Sequence, residues 1–297
     1  MRVRILGAAG SGGLPQWNCG GEHSVRARGE EPELPAMSHA SLAIGSGDGR
    51  FSLINASPDV RDQLRLFPGL HPRPGTRDIP LDSVVLTSAH LEHVLGLGIL
   101  REALPYRIVT TAWVRDALVE HNAVFRRLAP AFGCVALDEP FDLDRDGRLE
   151  AKLFPVTGLL PDYLDGIAPR SPEATLGVRV TDRSSDARLV YVPRLGALGE
   201  GTLAELQAAD VRFVDGTFFG PNELLPHRAG APGAREMGHV PISGAEGSLG
   251  RLGLMRGRTF YIHMNHTNPI VDAGSKESAL IREAGVEIAR DGIELTI

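Results

Sequence analysis

Residues 83–93 read S-V-V-L-T-S-A-H-L-E-H. The run at 83–87 has no polar alternation, which predicts a strand buried on both faces. Ser88, His90, Glu92 and His93 then crowd into six positions. On a helix, His90 and His93 would share a face with Glu92 beside it. Gly96 and Gly98 follow closely, so the expectation is a loop from the strand end into a helix over 94–103. Side chains at i, i+2 and i+3 of such a loop can converge on one ion. The carboxyl ends of strands are where α/β sheets bind ligands. The competing reading is a solvated turn with incidental histidines.

Other polar residues stand at comparable places. F-V-D-G-T-F-F (213–219) puts Asp215 at the end of an apolar strand. Y-I-H-M-N-H-T-N-P (261–269) puts His263 at another strand end and His266 in the loop beyond. M-G-H-V-P-I-S (237–243) sets His239 just before an expected helix. The remaining histidines, 23, 39, 71, 121 and 227, read as surface or core residues.

The chain has 297 residues, 42 % hydrophobic and 23 % charged, with net charge −6 and no basic block. This is an ordinary soluble composition that argues against a nucleic-acid surface. Its two cysteines cannot build a disulfide framework. The N-terminal M-R-V-R-I-L-G-A-A-G is too briefly apolar for a signal peptide, and no run reaches membrane-span length. A cytoplasmic location with no membrane partner is expected. The 35 glycines and 21 prolines predict short strands and many loops. Strands are expected at 2–6, 39–45, 51–54, 83–87, 107–111, 149–156, 176–182, 188–192, 211–215, 259–263 and 293–297. Helices are expected at 94–103, 112–125, 200–208, 243–254 and 275–284, the last capped by Ser275. Hairpin-like strands mixed with βα units indicate α/β (α+β) layers, read as one domain over 1–297. Segments 14–38 and 220–238 are long for connectors and read as binding loops or lids.

T-S-A-H-L-E-H after an apolar strand resembles the T-H-x-H-x-D-H signature of the metallo-β-lactamase fold. Together with G-S-G-G-L-P-Q-W-N-C (10–19), N-A-S-P-D-V-R (55–61), L-G-L-G-I-L-R-E (95–102), D-G-T-F-F, M-G-H-V-P-I-S and I-H-M-N-H-T-N-P-I, it resembles the pyrroloquinoline quinone (PQQ) biosynthesis protein B family over essentially the whole chain. The resemblance implies an αββα sandwich: two mixed sheets face to face, helices outside, a metal at one rim. It also implies a part in converting a Glu–Tyr-derived peptide product into a redox quinone, by iron-dependent hydroxylation of a tyrosine-derived ring. The alternatives are a metal-dependent hydrolase of the phosphodiesterase or lactamase kind, and a carrier of the finished quinone.

Hydrolases of that fold hold two zinc ions, and this chain lacks much of the first set. Ser88 stands where the first histidine belongs. No histidine lies near F-P-V-T-G-L-L-P (154–161), and Pro193 and Arg194 take the place of the bridging aspartate. The second set survives in type as Glu92, His93 and His263, with His90 either a fourth ligand or one step removed. Two histidines and one carboxylate suit non-haem Fe(II), the expected cofactor, and also admit Zn(II). Asp215, His239 and His266 are the candidate proton-transfer groups. The expected partners are a small-molecule or short-peptide-derived substrate and O2, with a homodimer left open. The family's C-x-C-x-x-C cluster is reduced here to Cys19, with Gly21 and Ser24 in the other places, so a structural zinc is not expected. The segment 18–38 is then held by packing or left mobile. G-A-A-G-S-G-G (7–13) lacks phosphate-loop spacing; its glycines let the first loop pass close to the metal rim. Trp17 is expected to cover core.

Overall fold

The structure, a computed structural model, describes residues 1–29, 33–103 and 105–297. Residues 30–32, which fall within the segment 18–38 discussed above, lie outside the described part. In the first half of the chain run β1 (Arg2–Gly7), β2 (Ser41–Gly45), β3 (Phe51–Ile54), β4 (Leu81–Val85), β5 (Arg107–Thr110) and β6 (Phe132–Cys134). The second half holds β7 (Pro140–Asp142), β8 (Leu149–Pro155), β9 (Leu176–Asp182), β10 (Ala187–Val192), β11 (Val211–Asp215), β12 (Arg258–Ile262) and β13 (Glu287–Ile288). The last strand, β14 (Glu294–Thr296), returns to pair with β1.

Among the described residues the strands build two seven-stranded mixed sheets, ordered β14-β1-β2-β3-β4-β5-β6 and β13-β12-β11-β10-β9-β8-β7, so that the first is completed by the last strand of the chain. β3 through β6 are parallel to one another, as are β10 through β13. The other pairings are antiparallel. One hydrophobic cluster gathers the buried faces of both sheets, from Ile5, Leu53 and Val84 to Val190, Phe213 and Phe260. β4 is buried along its whole length and parallel on both sides; its two polar residues are satisfied, Asp82 by Arg50 and Arg145 and Ser83 by Ser52 and Leu143 O.

The two sheets meet at one rim. Isolated bridges join Ala9 to Met264 and Ser88 to Thr175. Gly10 N donates to Met264 O at 2.8 Å. A side chain on Gly10 would stand 3.0 Å from His263 O and 3.2 Å from its Nδ1, so the first loop does pass against the rim.

The expected strands are present with small shifts of their ends; the helices differ more. The helix expected at 94–103 begins at Leu91 and breaks into Leu91–Val94, Leu97–Leu100 and a 3-10 turn at Arg101–Ala103. Glu92 and His93 therefore sit in a first helical turn, not in a loop. The cause is tertiary. Ala56 N donates to His93 O at 2.7 Å, and Gly96 N donates to Ala56 O at 2.9 Å, so this helix is stitched to the chain leaving β3. The helix expected at 112–125 stops at Val119, and that at 243–254 is only Leu249–Leu252. Ser248 N and Leu249 N bond back to Pro241 O and Ile242 O, spending the preceding segment on a closed loop. The helix Lys276–Glu283 is capped as expected, Ser275 accepting from Ser278 N. Trp17 is 83 % exposed and does not cover the core.

Gly96 is where this stitching is tightest: a Cβ there would meet Ser57 O at 2.2 Å, whereas one on Gly98 would meet nothing within 4 Å. Gly96→Ala is expected to cost about 1–3 kcal/mol, as overpacking against backbone does. Gly98→Ala is the control and should be close to neutral. Thermal unfolding of both variants measures this, and equal melting temperatures would refute the close-approach argument.

Candidate metal centre

The polar groups collect at the carboxyl ends of four parallel strands: β4 in one sheet, and β10, β11 and β12 in the other. His90 is the extended residue before the helical turn that carries Glu92 and His93. Asp215 ends β11 and His263 follows β12 with φ 63°, a left-handed conformation uncommon outside glycine. That conformation turns the His263 side chain into the rim, a local strain of the kind concentrated at functional sites.

Glu92, His93 and His263 each offer one ligand atom, all within 4.8 Å of one another, and all three residues are buried. Nε2 of His93 and Nε2 of His263 are buried without a hydrogen-bond partner. Two orphaned lone pairs facing one carboxylate are costly unless a cation joins them. Each ring is fixed from behind. His93 Nδ1 lies 2.7 Å from Ser88 Oγ and 3.2 Å from Thr87 Oγ1, and His263 Nδ1 lies 2.9 Å from Thr217 Oγ1. With Nδ1–H donating to a hydroxyl, Nε2 is the free base, the tautomer a metal ligand needs.

Ser88, in the place of a missing histidine, has a second task. Its Oγ also meets His90 Nδ1 at 3.1 Å and His90 N at 3.3 Å. A hydroxyl has one proton and two lone pairs. If it accepts from His93 Nδ1–H and His90 N–H, its proton goes to His90 Nδ1. His90 then carries its own proton on Nε2 and enters the site as a donor.

Asp215, His239 and His263 form a second close group, but the aspartate has little left to give an ion. Its Oδ2 accepts from Leu195 N at 2.8 Å and faces His239 Nδ1 at 2.6 Å; its Oδ1 accepts from Thr217 N at 3.0 Å and Thr217 Oγ1 at 2.6 Å. Four contacts saturate the carboxylate. The group is therefore an Asp–His pair, linked through Thr217 to the back of His263.

Arg194, which follows β10, was not among the sequence-based site candidates. It is 8 % exposed, and its Nη1 donates to Glu92 Oε1 at 3.2 Å. The only sequence signal was its position, where related enzymes have a bridging carboxylate. His266 corrects an expectation. Its ring makes no hydrogen bond to the Asp215–His239 pair, its Nδ1 being buried without a partner, and its carbonyl faces His23 Nδ1 at 3.0 Å. The loop is turned that way because Asn265 N bonds to Thr217 O at 3.0 Å and the Asn268 amide to Gly216 O at 2.8 Å. Cys19 Sγ accepts from Gly21 N at 3.2 Å, within its own turn.

Burial governs the titration of these groups. It holds His90 well below the ordinary histidine range, helped by the charge of Arg194, and takes His93 down to about 3. Burial also depresses His239, outweighing the pull of Asp215. Burial pushes Glu92 up, but its contact with His263, the other imidazoles and Arg194 together bring it well below the usual carboxylate value. At neutral pH His90, His93 and His239 are therefore neutral, and Glu92 and Asp215 are ionised.

Comparison with known proteins follows the same lines. Residues 50–264 match the family model of the beta-lactamase superfamily domain. Coenzyme PQQ synthesis protein B of Ruegeria pomeroyi is 39 % identical over 303 residues, covering all of both chains. The protein of the same name from Rhizobium meliloti is 37 % identical, covering all of this chain and 98 % of the relative. The chain belongs to the coenzyme PQQ synthesis protein B family. The crystal structure of Zn(2+)-bound PqqB from Methylobacterium extorquens superposes with TM-score 0.92 at 32 % identity, covering all of both chains. A diphosphatase from the PhnP family superposes with TM-score 0.68 at 18 % identity, covering all of this chain and 97 % of that one, and shows the shared fold alone. The PQQ synthesis protein B chain thus has the metallo-β-lactamase fold expected from its sequence. Among the described residues, no helix is long and apolar enough to cross a membrane.

Keeping His93 neutral has a measurable consequence. Its folded value lies near 3 against 6.5 for a free histidine. Between those values the unfolded chain binds a proton that the folded chain refuses, so stability rises with pH across that window and is lost as pH falls. Metal-free protein should lose stability progressively from pH 6.5 downward, and His93→Gln should flatten that slope. Urea unfolding at several pH values checks it; an unchanged slope in the variant would show that His93 does not contribute.

Proposed function

We propose that this chain is a metal-dependent oxygenase of coenzyme PQQ synthesis. In this reading Glu92, His93 and His263 hold one Fe(II), and the substrate is a tyrosine-derived ring carried on a small or short-peptide-derived molecule. The observation that carries it is the pairing of the two orphaned Nε2 atoms with a single carboxylate, while Asp215 is saturated by hydrogen bonds. That donor set fits one ion and leaves coordination positions open. When bound, Fe(II) would supply the one-electron chemistry that lets O2 react with an aromatic ring.

The rest of the reaction falls to the chain's own groups. His239 Nδ1–H is fixed on Asp215 Oδ2, so Nε2 is the basic atom and takes the proton that the substrate ring loses. The imidazolium so formed is stabilised by Asp215, an arrangement that raises the efficiency of a general base. Ser88 and Thr217 hold the ligating rings, and His90 offers an Nε2–H to an oxygen of the substrate. Burial of all these groups keeps bulk water away from the reacting ring.

A second reading, hydrolysis by a Zn(II) ion in the same three ligands, has the Zn(2+)-bound state of the Methylobacterium extorquens relative in its favour. Anaerobic loading with Fe(II), followed by O2 uptake in the presence of tyrosine- and dopa-like substrates, separates the two. Uptake is expected. No uptake, together with ester hydrolysis by protein carrying zinc, would replace the oxygenase reading.

The ligand set makes its own prediction. His93→Ala and His263→Ala should each lose most bound metal, whereas His90→Ala should retain it nearly in full. Metal analysis after dialysis reads this out, and equal retention in all three would place the ion elsewhere. His239→Ala and Asp215→Asn should keep metal and fold but lose about 10²–10⁴-fold in turnover, the usual worth of a proton-transfer group. Loss of metal in His239→Ala would make His239 a ligand.

A further inference from the structure

Arg194 is held more firmly than its single ion pair requires. The backbone on its carboxyl side is clamped by Leu195 N to Asp215 Oδ2 at 2.8 Å, Val240 N to Leu195 O at 2.6 Å and Gly196 N to Thr157 O at 2.7 Å. Its side chain is only 10 % exposed and touches Glu92 through Nη1. Its Nε is buried and has no partner. A guanidinium carries five N–H donors in a planar fork that fits a carboxylate with two parallel bonds. Here Nη1 is engaged by Glu92, and leaving the buried Nε–H without a partner is costly.

Charge points the same way. Among the described residues Glu92 is the carboxylate paired with Arg194, and it is also one of the three groups proposed to hold the ion. A divalent cation and Arg194, set against Glu92 and Asp215, leave the buried centre with one net positive charge. An anionic group arriving with the substrate would balance it.

We infer that Arg194 is the carboxylate-recognition group of this site, its free guanidinium edge receiving an α-carboxylate of the substrate and so placing the ring beside the ion. This inference rests on the proposed function for the aromatic part of the substrate, but not for the anionic part. Arg194 is in this sense a specificity and positioning residue.

The test uses Zn(II)-loaded protein, which binds without turning over, and the probe pair L-dopa and dopamine, which differ only in the carboxylate. Calorimetry is expected to give L-dopa an advantage of about tenfold or more. That advantage should vanish in Arg194→Met at unchanged zinc content and be partly kept in Arg194→Lys. The buried Nε–H should also give a protected side-chain ¹⁵N resonance, identified by its absence in Arg194→Lys. L-dopa and acetate should each move that resonance, and dopamine should not. If acetate moves it while neither aromatic amine binds, the carboxylate role stands and the aromatic substrate class falls. If no carboxylate moves it, or Arg194→Met keeps the wild-type preference, Arg194 serves only to pair with Glu92 and the inference is overturned. The resonance measurement on the wild-type chain decides the matter even if the methionine variant sheds its zinc.

Discussion

The imidazoles at the rim are held at the same atom. Nδ1 of His93 rests on Ser88 and Thr87, Nδ1 of His263 on Thr217, and Nδ1 of His239 on Asp215. A ring whose Nδ1–H donates to its support has a fixed direction for Nε2 and leaves that atom without a proton. The chemistry of the centre depends on that constraint. The hydroxyls are in turn fixed from further back: Asn55 Oδ1 receives both the amide and the hydroxyl of Thr87, each at 3.0 Å. The N-A-S-P-D stretch therefore acts on the centre without entering it, by fixing Thr87.

What separates this centre from a two-ion arrangement is the allocation of lone pairs and charge. The Asp215 carboxylate spends its oxygens on two backbone amides, one hydroxyl and one imidazole. Arg194 brings a fixed positive charge to the place where related enzymes have a bridging carboxylate. A guanidinium cannot be displaced by solvent or chelator, and it presents directed N–H groups where an ion would present open coordination. On the proposed one-ion reading, the same fold sets one exchangeable cation beside one permanent one.

Much of this was legible in the sequence where a pattern has a local cause. β4 declared itself by the apolar V-V-L that begins at Val84, and residues following β4 and at the ends of β11 and β12 declared themselves as polar groups where strands stop. Glu92, His93, His263 and Asp215 were singled out this way, and His239 by its place before an expected helix. The misses have tertiary causes. The helix start at Leu91 comes from hydrogen bonds to Ala56, remote in sequence. The edge strands β6, β7 and β13 are two or three residues long, too short for periodicity to mark. His266 shares its loop with His263, and only the bonds of Asn265 and Asn268 decide which way each ring turns. Ser88 and Arg194 were read as losses from a ligand set. Their gain of function as an orienting hydroxyl and a buried cation depends on partners that no spacing rule supplies.

His93 belongs to one sheet and His263 to the other, with most of the chain folded between them. The Glu92–His93 pair is adjacent in sequence and exists in the unfolded chain, where two donors on neighbouring residues grip any passing ion weakly. On the proposed ligand set the third donor, His263, joins them only when β12 has docked, a contact of long sequence separation whose closure is slow. On that ligand set the choice of metal would wait until the geometry is complete. Divalent ions compete for a loose pair of ligands by intrinsic affinity, an order that favours copper and zinc over iron. A pocket whose third ligand closes last can instead impose its own shape on the selection, and an ion picked up too early can be exchanged before the rim is sealed.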